Sequence, residues 1–484
     1  MDTVKFVDTT LRDGQMSLWA TNMTTAMILP VAESIDQAGF EAAEIIAAAF
    51  FKKCVRELHE DPWERIRQVR ARMPNTPLRA IRGRYMSAFQ ITPASITELW
   101  LQRLAANGIR EIRISDSSNT PAVWRDQVSS ARAAGMSTIV NLIFSISPKH
   151  TDAYYAEKAA AAARLGTDRM CLKDPGGLLT PERTRTLVPA ILREAGEVPI
   201  EFHTHCNLGM GTPCCVEAIK LGIRSVNTAI PPLSDGSSNP SVFDVVRNAR
   251  VLGYSCDLEE EPLAAVEQHF SAIARRQRLP VGAPVRYDCS NYLHQVPGGM
   301  ISNLRHQLAN LGLDGKLQEV LDETTRVRAD LGYPIMVTPY SQFVGAQAVM
   351  NVVLGERYKS VSDEVIQYTL GFWGEEESTS IDPDIKGRIL GNPRAKELAA
   401  WRPPQPTLKE LRQQYGGVSD DDLLLHYFAG GSDVAAMRAA GPRQESGDGV
   451  PTLARLIEAL NVSGQCRHIQ VRKSGMSFTL QRRR

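Results

Sequence analysis

Eight short runs of β-forming residues, each separated from the next by a helical stretch, fill the first half of this chain and limit its possible folds more than any other feature. They are Thr3–Val7, Ala43–Ile46, Leu78–Ile81, Glu111–Ile114, Thr138–Phe144, Arg169–Leu172, Ile200–His203 and Ser225–Ala229. Helical periodicity lies between them, as in Ile28–Ala38, Ala94–Ala106, Ala153–Arg164 and Cys214–Leu221. Such alternation joins parallel strands through helical crossovers, and eight repeats suffice to close an α/β chain into a (β/α)8 TIM barrel. An open, doubly wound sheet is the competing architecture. It would want a glycine-rich first turn, whereas the first turn here is Asp8-Thr9-Thr10-Leu11-Arg12-Asp13-Gly14.

After about residue 255 the strand signal fades. Helical patterns follow at Asp257–Leu279, Ser302–Arg328, Ser341–Asn351, Asp363–Gly371 and Leu408–Gln413, with a Pro/Gly-containing stretch up to about Gly299. Gly430–Gly449 reads as a linker, and the last 35 residues as a small strand–helix addition. The expected organisation is a barrel over residues 1–255, a helical C-terminal region over 256–430 that completes the active site, and a linker with a small extension over 431–484.

Charge and cysteine usage narrow the class of protein. Lys and Arg number 55 against 54 Asp and Glu, which argues against a nucleic-acid binder, and the short basic end Arg482-Arg483-Arg484 does not alter that balance. No run of about 18 apolar residues offers a membrane span. The first residues, Met1-Asp2-Thr3-Val4-Lys5, carry no basic-then-apolar leader. The eight cysteines are scattered with no CxxC pair, the pattern of reduced thiols in a cytoplasmic enzyme.

In a parallel barrel the catalytic groups gather where strands end at the C-terminal face. Strand one runs into Arg12-Asp13, strand six ends in Cys171-Leu172-Lys173-Asp174, and strand seven ends in His203-Thr204-His205. Residues two apart on a strand share a face, so His203 and His205 both point into the barrel mouth. Two imidazoles with a carboxylate such as Asp13 suit a divalent metal, Zn²⁺, Co²⁺ or Mn²⁺. An isolated HxH pair is otherwise only polar surface. Lys173 shares the inward face with Cys171, and a lysine there must pair, lose its charge or be modified. It reads as a Schiff-base nucleophile, an ion-pair partner, or a CO2-carbamylated metal ligand; the plainest reading is a salt bridge to Asp174 or Glu44.

The segment Asp8-Thr9-Thr10-Leu11-Arg12-Asp13-Gly14-Gln15-Met16-Ser17-Leu18-Trp19-Ala20-Thr21 resembles the DTTLRDAHQSLxAT signature of biotin-dependent carboxyltransferases. That family includes the carboxyltransferase domain of pyruvate carboxylase, the oxaloacetate decarboxylase alpha subunit and the transcarboxylase metal-binding subunit. Further segments keep the family's order: Glu60-Asp61-Pro62-Trp63-Glu64-Arg65-Ile66, Leu172-Lys173-Asp174 with Gly177-Leu178-Leu179-Thr180-Pro181, His203-Thr204-His205, Pro297-Gly298-Gly299, Ser302-Asn303-Leu304 and Val337-Thr338-Pro339. The resemblance spans about residues 1–430. It implies that Asp13, His203, His205 and carbamylated Lys173 hold a divalent metal, Zn²⁺ first. It implies that Arg82 binds the substrate's carbonyl and carboxylate groups, that Thr338 shuttles a proton between biotin and the enol substrate, and that Arg12 steadies enolate charge. The acceptor would be a 2-oxo acid such as pyruvate or oxaloacetate, and a homodimer would be the default assembly.

Departures fall around the substrate pocket, for which Gln15, Met16 and Phe89 are the candidate lining residues. The family's pocket glutamine is Met16 here, its pocket tyrosine is Phe89, and the aspartate after its HTH motif is Cys206. Losing an amide and a phenol, each contact worth roughly 0.5–1.5 kcal/mol, favours a larger or less polar acceptor. The chain has no Ala-Met-Lys-Met biotin-attachment motif and no glycine-rich ATP site, so carboxyl transfer would require a biotin carboxyl carrier protein and a biotin carboxylase on other chains. The alternative is a biotin-independent metal-dependent decarboxylase, lyase or aldolase on the same scaffold. A catalytically idle scaffold subunit is a third reading, and the retained metal-site residues count against it.

Overall fold

A computed structural model describes residues 2–86, 90–296, 301, 304–305, 308–309, 312–415, 419–441, 468–473 and 476–481. Its centre is the expected barrel. Strands β1 (Thr3–Asp8), β2 (Ala42–Ala47), β3 (Leu78–Gly83), β4 (Glu111–Ser115), β5 (Ser137–Ile143), β6 (Arg169–Asp174), β7 (Ile200–Thr204) and β8 (Ser225–Thr228) are all parallel, and β1 pairs with both β8 and β2 to close the ring. A short strand β9 (Ser255–Cys256) adds to the start of β1. These strands are buried on both faces, which is why they read as continuous apolar runs rather than alternating ones.

Crossover helices cover the outside. Asp61 caps Pro62–Arg72 by accepting hydrogen bonds from the Trp63 and Glu64 amides, and Thr151 and Thr180 cap Asp152–Arg164 and Pro181–Ala195 in the same way. The patterned segment Ile28–Ala38 is split: Thr25–Ile28 and Ala32–Gln37 are helical on either side of a tight turn at Leu29–Val31, where Pro30 removes a backbone donor.

The barrel interior is charged as well as apolar. Register places Ile81 beside Arg113, Cys171 beside Asn141 and Glu201, and Lys173 beside His203, so these side chains share the inward face. A register shift in β2 between Glu44 and Ile46 interrupts the ladder where Glu44 turns inward.

A second apolar core lies between about residues 296 and 398, built around Val320, Val327, Tyr340, Phe343, Val365, Tyr368 and Trp373. The chain then returns to the barrel: Leu411, Leu423, Leu424, Val434 and Met437 pack into the barrel's core, and Phe428 stacks on Phe51 at 5.1 Å. Within the stretch expected to be a linker, Gly431–Ala440 is a helix with Val434 and Met437 buried. Beyond it, β10 (His468–Lys473) and β11 (Met476–Gln481) form an antiparallel hairpin.

Phe51 also meets Trp63 at 4.7 Å and Trp100 at 5.9 Å, so it ties the returning segment to the barrel wall. Phe51→Ala is expected to cost about 3–5 kcal/mol. Denaturant unfolding checks this, and an unchanged midpoint would mean that the segment does not stabilise the barrel.

Candidate metal centre and active site

A wide helical turn, Thr10–Gly14, follows β1 and buries Arg12 and Asp13. Asp8 anchors it, accepting from the Thr10 amide at 3.1 Å. The turn needs Gly14: a Cβ there would sit 2.8 Å from the Leu233 carbonyl oxygen. Asp13 Oδ2 lies 3.2 Å from His203 Nε2 and 3.4 Å from His205 Nε2, while Ser17 Oγ donates to Oδ1 at 3.2 Å. Asp13, His203 and His205 are the one group of potential metal ligands converging within 4.8 Å among the described residues.

The electrostatics fit a cation. Burial alone would raise the Asp13 carboxyl, but Arg12 beside it and the two imidazoles hold it well below the usual carboxylate range. Burial, reinforced by Arg113, pushes the His203 imidazole down to about 3, so it is neutral at physiological pH. His205 Nδ1 donates to the Ser237 carbonyl at 2.7 Å, leaving Nε2 bare. Asp13 Oδ2 is fully enclosed yet accepts no hydrogen bond, although Arg12 Nη2 approaches to 2.9 Å. An enclosed carboxylate oxygen facing the Nε2 atoms of two imidazoles fits the donor set of a divalent metal.

Lys173 sits in register with His203 and is buried. Neither partner named by the plainest reading holds it. Asp174 accepts from the Leu178 and Leu179 amides and from Thr204, and Glu44 is occupied by Arg12 and Arg113. Burial, with Arg12 nearby, brings the Lys173 amine down to about 8, so a sizeable neutral fraction exists near neutrality.

The remaining candidates lie elsewhere. By register Arg82 is on the outward face of β3, and its side chain lines a cleft of about 420 Å³ with Arg84, Tyr85, Thr97, Gln127 and Phe372; none of Asp13, Lys173, His203 and His205 lines that cleft. Its hydrogen bonds to the Gly83 and Arg84 carbonyls are long, 3.3 and 3.5 Å, and its Nη1 has no partner among the described residues. Without a carboxylate in contact, burial lowers it to about 10. Thr338 is exposed; its carbonyl accepts from Ser117 Oγ at 3.0 Å, just past the end of β4. Gln15 departs from expectation. It is buried and spends its amide on the Leu11 carbonyl and the Met23 amide, because adjacent helix positions point about 100° apart and Met16, 46% exposed, takes the outward one. Phe89, Pro297-Gly298-Gly299 and Ser302-Asn303 lie outside the described residues.

Comparison with known proteins gives the centre its context. Residues 292–429 match the conserved carboxylase domain, and residues 3–269, over half the chain, match the HMGL-like family. The chain is 37% identical over 432 residues to a pyruvate carboxylase chain of Methanocaldococcus jannaschii, covering 88% of this chain and 76% of that one. The chain belongs to the biotin-dependent carboxyltransferase family. It is 33% identical to the methylmalonyl-CoA carboxyltransferase 5S subunit of Propionibacterium freudenreichii subsp. shermanii, covering 91% and 88% of the two chains. It is 30% identical to the 2-oxoglutarate carboxylase large subunit of Hydrogenobacter thermophilus, covering 88% and 66%. The carboxyl transferase domain of Rhizobium etli pyruvate carboxylase, solved with pyruvate, shares the fold at a TM-score of 0.81 and 22% identity, over 99% of this chain and 83% of that one. This carboxyltransferase has no described helix long and apolar enough to cross a membrane.

Sequence reasoning missed the residues that brace the carboxyltransferase's centre: Arg113, Asn227, Ser237 and Asn239. The available signal was a polar residue at an inward position of an apolar strand, as in Glu111-Ile112-Arg113-Ile114 and Ser225-Val226-Asn227.

Because the folded state lowers the Lys173 pKa from 10.5 to about 8, folding releases a proton between about pH 8 and 10.5, and the lysine's full cost to stability is felt below pH 8. Lys173→Met is therefore expected to stabilise the metal-free, CO2-free protein by about 3 kcal/mol below pH 8, the gain shrinking to nothing as pH rises through 10.5. Denaturant unfolding at several pH values measures it.

Proposed function

We propose that this carboxyltransferase moves a carboxyl group between carboxybiotin, delivered on a separate carrier protein, and a 2-oxo acid of the pyruvate or oxaloacetate kind, or a less polar relative. The observation that carries the reading is the meeting of Asp13 Oδ2 with the Nε2 atoms of His203 and His205 beside an unpaired, buried Lys173. Those residues would hold a divalent metal, Zn²⁺ being the natural match to two imidazoles and carboxylates, with Co²⁺ or Mn²⁺ as alternatives. When bound, the metal supplies a Lewis acid that eases negative charge on a carbonyl oxygen.

The chain's own groups do the rest. The neutral Lys173 amine adds to CO2, forming an N–C bond and releasing one proton, and so becomes an anionic oxygen donor next to His203. Arg12, fixed by Glu44 and Asp13, contributes a stationary positive charge that steadies developing enolate. Arg82, whose Nη1 has no partner among the described residues, takes the acceptor's carboxylate by turning from its cleft at the end of β3 toward the metal-ligand residues. As the carboxybiotin N–C bond breaks and releases CO2, the Thr338 hydroxyl gives its proton to the ureido nitrogen and receives one from the acceptor carbon, whose enolate then forms the new C–C bond to the CO2. Met16 supplies an apolar surface where an amide would favour a small polar acceptor. Biotin carboxylase and carrier act from other chains, the protein works as a homodimer, and the site of action is the cytoplasm.

The deciding experiment is CO2 release from oxaloacetate by purified protein with and without free biotin, followed by a panel of other 2-oxo diacids. Biotin-stimulated release is expected to be lost in Lys173→Ala and to fall about 10²–10⁴-fold in Thr338→Ala. Activity indifferent to biotin and to Thr338 would instead assign a biotin-independent metal-dependent decarboxylase, lyase or aldolase. Arg82→Gln is expected to raise KM for the acceptor about tenfold with metal content unchanged, a loss of about 1.4 kcal/mol.

A further inference from the structure

His203 is gripped at both ring nitrogens by amides whose orientation other residues fix. Asn227, on β8, presents Oδ1 3.0 Å from His203 Nδ1, and its Nδ2 donates to Glu201 Oε2 at 3.3 Å. Glu201 is buried on β7 and held by two hydrogen bonds from Arg79, each 2.8 Å. A carboxylate so held can only accept, so the Asn227 amide must turn its NH2 toward Glu201 and its oxygen toward the imidazole. An amide oxygen cannot donate, and His203 Nδ1 must therefore carry the proton.

The opposite side of the ring agrees independently. Asn239 Nδ2 donates to the Thr204 carbonyl at 2.9 Å, and Thr9 Oγ1 contacts Asn239 Oδ1 at 2.6 Å, which fixes that amide also. Its NH2 lies 3.3 Å from His203 Nε2, which must accept. Two contacts point the other way: Arg113 Nη1, a donor, is 3.4 Å from Nδ1, and Asp13 Oδ2, an acceptor, is 3.2 Å from Nε2. Both are longer than the 3.0 Å Asn227 contact, and each partner has a closer one of its own, Arg113 Nη1 with Glu44 Oε1 at 2.5 Å and Asp13 Oδ2 with Arg12 Nη2 at 2.9 Å.

We infer that Asn227 is the positioning residue of this carboxyltransferase's metal centre: relaying the Arg79–Glu201 ion pair to His203, it holds the ring in the Nδ1–H tautomer with an unprotonated Nε2 3.2 Å from Asp13 Oδ2. The relay runs Arg79, Glu201, Asn227, His203, Asp13 across strands β3, β7, β8 and β7 to the turn after β1. A ligating imidazole whose second nitrogen loses its acceptor typically gives up 10–100-fold in metal affinity. The metal arm of this inference rests on the reading of Asp13, His203 and His205 as ligands; the tautomer itself does not.

The test therefore has two arms on the full chain. Long-range ¹H–¹⁵N correlation of histidine-labelled, metal-free protein reads the tautomer directly, and His203 is expected as Nδ1–H. Competition with a chromogenic chelator for Zn²⁺, together with the d–d spectrum of the Co²⁺ form, reads the site. Asn227→Leu, close in volume and without an acceptor, is expected to lose the single tautomer, weaken Zn²⁺ binding at least tenfold and shift the Co²⁺ bands. Asn227→Asp is the rescue: protonated toward Glu201, it restores the oxygen facing Nδ1, and its Zn²⁺ affinity is expected within about threefold of wild type. An Nε2–H tautomer in the metal-free wild type overturns the inference, even if Asn227→Leu does not fold. Unchanged Zn²⁺ affinity and Co²⁺ bands in a folded Asn227→Leu overturn it as well. A wild-type protein that binds no metal but shows the Nδ1–H ring sinks the ligand reading and leaves the relay standing.

Discussion

A carboxylate sealed inside the barrel, Glu44, holds the centre together. It receives Arg12 through Nε and Nη2 on one side and Arg113 Nη1 on the other, and all three side chains are essentially without solvent. Burial alone would raise the Glu44 carboxyl, and the two guanidiniums hold it well below the usual range. Ion pairs this deep are tolerated only where geometry is good and remaining donors are used, since desolvating each charge costs several kcal/mol. Those conditions are met: Arg113 spends its other donors on Asn141 and Cys171, and Arg12 Nη2 lies 2.9 Å from the Asp13 carboxylate. Arg12 is thereby fixed, and with it the turn that carries Asp13 to the histidines.

Much of this was legible because strand geometry is simple. A period of two determines which residues of Cys171-Leu172-Lys173 and His203-Thr204-His205 face inward, and the register of β6 against β7 sets Lys173 beside His203. All eight barrel strands lie within about two residues of where periodicity puts them. What failed to appear in the sequence depends on relations between distant elements. Nothing in Gln15-Met16 says which residue faces the mouth until the turn before them is known. Arg82 sits at a strand end, where one step of parity separates the barrel lumen from the helix-facing side. Gly431–Ala440 hides in a glycine-containing stretch, its only signal the spacing of Val434 and Met437, and it is helical because the barrel wall offers an apolar surface to cover.

The helical region is joined to the barrel by polar contacts that are specific in direction. Ser118 Oγ meets the Tyr340 hydroxyl, which also donates to the Trp373 carbonyl at 2.9 Å, and Tyr85 donates to the Phe372 carbonyl at 2.7 Å. Lys149 and Lys158, on the barrel side, pair with Glu377 and Glu376. Apolar packing alone would permit sliding between the two bodies. Directional bonds fix where Thr338 stands relative to the strand ends, and the proton relay proposed for it depends on that, since such transfer fails when donor and acceptor drift beyond hydrogen-bond reach.

Charge counting explains why a lysine is an apt fourth member of the centre. Around the centre three carboxylates, Asp13, Glu44 and Glu201, form ion pairs with three guanidiniums, Arg12, Arg79 and Arg113. Against that paired background a protonated Lys173 is one uncompensated positive charge, and the fold responds by bringing its pKa down to about 8. A divalent cation at Asp13, His203 and His205 would add two further positive charges, which a cationic lysine beside them would oppose and a neutral one would not offset. A carbamylated Lys173 changes the sign of its contribution and offsets one of the two charges the cation brings. The unmodified lysine and the cation disfavour each other, whereas the modified lysine and the cation are each other's counter-charge. On that argument the carbamate and the metal of the proposed site would bind as a pair, each supplying the charge that the other needs.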